Sequence, residues 1–326
     1  MTIRVFKKIF SLSLLLLIGC APPKIVSQGC DPSSLIEQRV RAHDTDPNIA
    51  WELYRHISFY NPSCQSQNTL VVHLVGSFDK PASTSLFPKL AANNGFDVIS
   101  LKYPNQIAAR NVCANSSDLD CYLNFRKEII EGKDYSDNTS VDVTNSINNR
   151  LLKLLQYLAP NYPEQNWSKY FQGDNINWQQ IIISGHSQGG GHAAVIAMTN
   201  KVKRVLMFAA PNDYSDYYHA PAAWTSLPHS TPNSAYFAFN NLNDKVVKPS
   251  QQFAIWQNLG LATFGQLVNV DNTKAPFANT HQLSTSYQTT GIGANHSAVI
   301  LDSRTPLDKK MQPVFLQVWK YMLGLP

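Results

Sequence analysis

The feature that most restricts the fold is an alternation: short runs rich in β-branched and aromatic residues are separated by stretches with helical periodicity. From residue 69 onward TLVVHLVGS (69–77), FDVISLKYP (96–104), QQIIISG (179–185), KRVLMFAAP (203–211) and AYFAFN (235–240) follow one another, with QLVNV (266–270) as a sixth candidate. Runs so continuously apolar predict strands covered on both faces, and the intervening helical stretches predict crossovers, hence a parallel sheet. One such stretch places Ile147, Leu151, Leu154, Leu155 and Leu158 on a single stripe that Pro160 and Pro163 should stop. Near the C-terminus Met311, Phe315, Val318, Trp319 and Met322 repeat the spacing, with Pro313 admissible only in the first turn. The expected class is α/β, with a mostly parallel central sheet flanked by helices on both faces. Residues 105–140 fit no strand and predict an excursion over one end of the sheet. Nothing in the composition, 44% hydrophobic and 15% charged, marks a second domain, so residues 35–326 are expected to form one.

One strand ends abruptly. In Gly185-His186-Ser187-Gln188-Gly189 a serine stands between glycines, after IIIS and before the small-residue run QGGGHAAVIA. The pattern predicts a tight strand-to-helix turn that leaves the Ser187 side chain in the open, with glycines where neighbouring backbones come too close for a Cβ and where strained dihedrals are cheapest. The helix that follows offers unpaired N–H groups and a positive dipole end, suited to charge developing on an acyl oxygen. A serine that merely caps the helix is the structural alternative.

In this context the turn resembles the nucleophile elbow of the α/β-hydrolase superfamily, a likeness that runs from about residue 69 to the C-terminus. The resemblance implies that fold and a Ser-His-Asp triad in the chain order Ser, acid, His. Asp244, in FAFNNLNDKVV just past a strand, is the expected acid, and Asp213 in APND is the alternative; His296, in GIGANHSAVILD, is the expected base, and His281 in NTHQL its competitor. His186 and His192 beside the elbow read as packing or turn residues. The backbone N–H of Gln188 and an amide from Ser77 or Phe78 should form the oxyanion hole, although HLVGS departs from the family's common His-Gly pattern. Tyr214, Tyr217, Tyr218 and Trp224 fall where an aromatic wall for a substrate could stand, or where a loop covers its own apolar surface.

The chain opens with Arg4, Lys7 and Lys8 and then LSLLLLIG, a short apolar run of the kind that heads an exported protein. LLIGC resembles the bacterial lipobox, which implies a leader at 1–19, lipidation of Cys20 and a tether over 20–34. Without the leader, Lys and Arg fall from 27 to 24 against 22 Asp and Glu, a net charge of +2 with no basic cluster, so nucleic acid is not an expected partner. Setting Cys20 aside leaves Cys30, Cys64, Cys113 and Cys121; their even number suits an oxidising compartment, and Cys113 with Cys121 and Cys30 with Cys64 is the expected pairing. No Cys/His spacing resembles a metal motif, and no metal or cofactor is expected. The sequence therefore points to a serine hydrolase of carboxyl esters on the bacterial cell envelope, acting on a small-molecule ester or lipid-like substrate and held to the membrane by its N-terminal lipid. The other reading is a non-catalytic envelope lipoprotein that uses a hydrolase scaffold for binding.

Overall fold

A computed structural model describes residues 30–50 and 52–326. The expected leader, Cys20 and the tether up to residue 29 lie outside the described residues. The last part of that tether, residues 30–34, is not loose: Cys30 is bonded to Cys64, Asp31 N donates to Ser63 Oγ at 2.8 Å, and a 3-10 turn, Pro32–Ser34, is capped by Asp31. The second disulfide joins Cys113 to Cys121.

The main sheet has nine strands: β1 (Ile36–Val40), β2 (His56–Tyr60), β3 (Leu70–Leu74), β4 (Asp97–Leu101), β5 (Ile181–His186), β6 (Arg204–Phe208), β7 (Tyr236–Asn241), β8 (Val268–Asn269) and β9 (Gln282–Thr285). Their spatial order is β1-β2-β4-β3-β5-β6-β7-β9-β8. From β4 to β8 every pairing is parallel; β2 runs antiparallel to both β1 and β4. Alternate residues of the central strands feed two separate cores: Val72, Ile183 and Val205 pack on one face, Val71, Ile182 and Leu206 on the other. Both faces are thus dry, which is why these strands read as unbroken apolar runs.

Among the described residues six longer helices cover the two faces: α1 (Leu86–Ala92), α2 (Cys121–Glu131), α3 (Ile147–Asn161), α4 (Gln188–Thr199), α5 (Pro249–Asn258) and α6 (Leu316–Leu323). The stripe of α3 packs into the first core together with Phe125 and Ile129 of α2, and Phe87 of α1 joins Val318, Trp319 and Met322 of α6 in the second. Ser146 caps α3 by accepting Asn149 N; Pro160 is accommodated in its last turn, and the stop falls one residue later.

Several expectations need correction. The C-terminal helix starts at Leu316, after Pro313, so Met311 is not part of its stripe but 70% exposed. The sixth strand shrinks to Val268–Asn269, and three strands of the main sheet went unpredicted: the antiparallel edge pair β1 and β2, and β9, whose Gln282 and Ser284 turn buried polar groups to the carbonyls of Gly265 and Val268. Residues 105–140 contain no strand; their main element is α2, which packs beside α4 and is tied by Cys121 to Cys113 at the end of a short helix, Ala109–Cys113.

From β3 the chain crosses to β4 on one side and returns to β5 on the other. The loops leaving β3 and β5 therefore diverge and open a crevice at their C-terminal ends, where ligands bind in open parallel sheets.

Candidate active site

Ser187 sits in that crevice, between the last residue of β5 and the first of α4. Its own backbone carries the strain, with φ 52° and ψ −118°, whereas Gly185 and Gly189 are not in the left-handed region. This corrects the expected division of labour: the glycines give closeness, not unusual dihedrals. A Cβ on Gly185 would come within 2.2 Å of the Gly189 backbone, and one on Gly189 within 2.1 Å of Leu74 O. Strain at a non-glycine residue persists only where the surroundings over-determine it. Here Ser187 N is tied to Phe208 O at 2.9 Å, and Ser187 O receives Gly190 N and Gly191 N. With those two amides turned back, Gln188 N is left without an intrahelical partner at the head of α4.

Asp244 follows β7, and His296 lies in a helical turn, Ala294–Ser297. The fold brings them together across 52 residues: His296 Nδ1 is 2.6 Å from Asp244 Oδ2. A carboxylate only accepts, so Nδ1 carries a proton, and in the neutral ring it is Nε2 that presents the lone pair. The other carboxylate oxygen accepts Val246 N at 2.8 Å and Val247 N at 3.1 Å, and Asn295 bridges the two loops by donating to Asn243 O. His296 Nε2 is buried and has no hydrogen-bond partner among the described residues, and Ser187 Oγ is instead 3.1 Å from the side-chain amide of Asn212. Ser187, His296, Asn212, Gln188 and Ser77 line one cavity of about 430 Å³.

The competing residues are occupied elsewhere. Asp213 is fully buried against Arg126, which donates Nε at 2.6 Å and Nη2 to its two oxygens, while Trp224 Nε1 donates at 2.9 Å. His281 stacks between Phe237 and Phe264, where burial pushes its pKa down to about 4. His192 is buried against the edge of Tyr103 and lies well below the usual imidazole range for the same reason. His186 does more than pack: its Nε2 lies 3.4 Å from His296 O and its Nδ1 3.7 Å from Asp79 Oδ2, and burial lowers its pKa. None of Tyr214, Tyr217, Tyr218 and Trp224 lines the cavity; Trp224 serves Asp213, and the Tyr217 and Tyr218 rings pack on one another at the surface.

Of the two amides expected after β3, one is excluded. Phe78 N donates to Asn105 O at 3.0 Å and is not available to a ligand. Ser77 N makes no hydrogen bond among the described residues, and with Gln188 N it forms the remaining pair. The Gln188 side chain bolts the surrounding loops together: Oε1 accepts Ala109 N at 2.8 Å and Ser77 Oγ at 3.1 Å, and Nε2 donates to Ile107 O at 2.8 Å.

No family model and no curated protein sequence aligns with it significantly. The site must therefore be read from its own geometry. Sequence reasoning missed Asn212 and Arg126. Asn212 had a signal, a polar side chain just past the C-terminal end of β6 in the very loop considered for Asp213. Arg126 had none, because only the fold sets it beneath Gly191, where a Cβ would lie 2.2 Å from the guanidinium.

Proposed function

We propose that the chain is a serine hydrolase of α/β-hydrolase type that cleaves carboxyl esters through an acyl-enzyme. The observation that carries this reading is the Asp244–His296 contact of 2.6 Å, which engages Nδ1 with the carboxylate while His296 lines the same cavity as Ser187. The strand order, with the strained serine directly after β5 and Asp244 directly after β7, supports the fold assignment.

In the reaction, the Ser187 hydroxyl leaves Asn212 and gives its proton to His296 Nε2 while Oγ attacks the ester carbonyl carbon. The carbonyl π electrons move onto oxygen, and the oxyanion is met by Ser77 N and Gln188 N. As it collapses, the bond to the alcohol oxygen breaks and the His296 imidazolium gives its proton to that departing oxygen, releasing the alcohol. Water repeats the sequence on the acyl-enzyme: its proton goes to His296, its oxygen attacks, and Ser187 is released with the acid. Asp244 stays ionised throughout and stabilises the imidazolium.

A fluorophosphonate should label the protein at a single residue, Ser187, located by mass spectrometry of its peptides, and His296→Ala should abolish the label. A folded but unlabelled wild-type protein would return the chain to the alternative of a binding scaffold. We further propose that the chain is exported and anchored through lipid on Cys20. Cys20→Ser should move it from the membrane to the soluble fraction, and unchanged membrane association would sink that reading.

A further inference from the structure

Asn105 lies in the loop after β4, is 2% exposed, and takes no part in the reaction above. Three of its hydrogen bonds nevertheless converge on the segment that carries Ser77. Nδ2 donates to Gly76 O at 2.7 Å and to Asp79 O at 2.9 Å, and its main-chain carbonyl accepts Phe78 N at 3.0 Å. Oδ1 accepts from the buried ammonium of Lys102 at 2.9 Å. The orientation of the amide follows from chemistry, since carbonyls cannot donate and an ammonium cannot accept. Lys102 is anchored in turn to Tyr103 O at 2.7 Å and to Glu52 at 3.1 Å, so Asn105 is held by the body of the domain.

The peptide plane turns this packing detail into a directional one. Gly76 C=O and Ser77 N–H belong to one rigid peptide unit and point in opposite directions. A bond of 2.7 Å to the Gly76 oxygen therefore sets where the Ser77 N–H points, and it also polarises the peptide, strengthening that N–H as a donor. We infer that Asn105 is the positioning residue of the oxyanion hole, aiming the Ser77 N–H at the developing charge from behind. The inference rests on the hydrolase reading for its catalytic meaning, but the coupling of Asn105 to the 76–79 loop does not.

Two variants test it. Asn105→Asp keeps the size and the Lys102 contact but sets a carboxylate oxygen against two carbonyl oxygens; Asn105→Ala removes all three side-chain bonds. Loss of an oxyanion donor costs about 10²–10³ in kcat, and a misaimed donor should cost about ten- to a hundredfold. The expected result for both variants is a kcat for short esters down by about that factor with KM within about threefold. Ser187 labelling by a fluorophosphonate should slow by a similar factor. Hydrogen exchange of peptides spanning 75–80 should also accelerate, with β3 and β5 unchanged. A loop that exchanges as in wild type in both variants overturns the inference, as does faster exchange with kcat and labelling at wild-type rates. A wild-type protein that neither labels nor hydrolyses esters, while exchange still responds to Asn105, overturns the hydrolase reading and upholds the coupling.

Discussion

Asp244→Asn should lower ester turnover by about four orders of magnitude, the cost of the wrong histidine tautomer in a triad of this kind. The direction follows from which oxygen does what. Asp244 Oδ1 accepts two backbone amides, Val246 N at 2.8 Å and Val247 N at 3.1 Å, so an asparagine there must keep its carbonyl oxygen on that side. Its NH2 group then faces His296 Nδ1 across 2.6 Å, and Nδ1 must become the acceptor. The imidazole proton is driven to Nε2, the atom that in the proposed reaction takes the proton from Ser187. Shape and burial are nearly unchanged, so the melting temperature should stay close to wild type while kcat for a nitrophenyl ester collapses. Turnover within about tenfold of wild type would show that Asp244 does not set the tautomer.

How much of this was legible depended on whether the physics was local. The elbow was, because a turn that brings Gly189 against Leu74 O can be built from few residue types, and those types stand next to one another in the sequence. Strands β3 to β7 were legible because burial on both faces leaves an apolar run. β9 was not: its core-facing Gln282 and Ser284 are neutralised by carbonyls of a neighbouring segment that is close only after folding. β1 and β2 form an antiparallel edge, where charged Glu37 and Arg39 interrupt the pattern. For the candidate site, the meeting of Asp244 with His296 was expected from chain order, whereas the engagement of Phe78 N rests on a single bond to Asn105 O. That bond crosses from one strand's loop to the next and leaves no trace in spacing. The strain went to Ser187 itself, because Gly185 and Gly189 are consumed by contact and only the serine lies at the apex of the turn.

Arg126→Met should destabilise the protein by about 3–5 kcal/mol, since breaking one partner out of a buried ion pair leaves the other charge uncompensated. Both side chains are sealed from solvent, Arg126 at 1% and Asp213 at 0% exposure. In a chain of this size that loss corresponds to a fall of roughly 10 °C in melting temperature. The damage should come from the stranded carboxylate and not from the lost packing, because methionine fills much of the arginine stem's space. Arg126→Met combined with Asp213→Leu should therefore recover most of the stability, leaving only Trp224 Nε1 and Gln188 O without their partners. If the double variant melts as low as the single one, the cost lies in packing against Gly191 instead. Catalysis should part from stability here. Arg126 Nη1 donates to Gln188 O at 3.0 Å, so the double variant regains its fold but not the brace beneath the first turn of α4, and its kcat should remain below wild type.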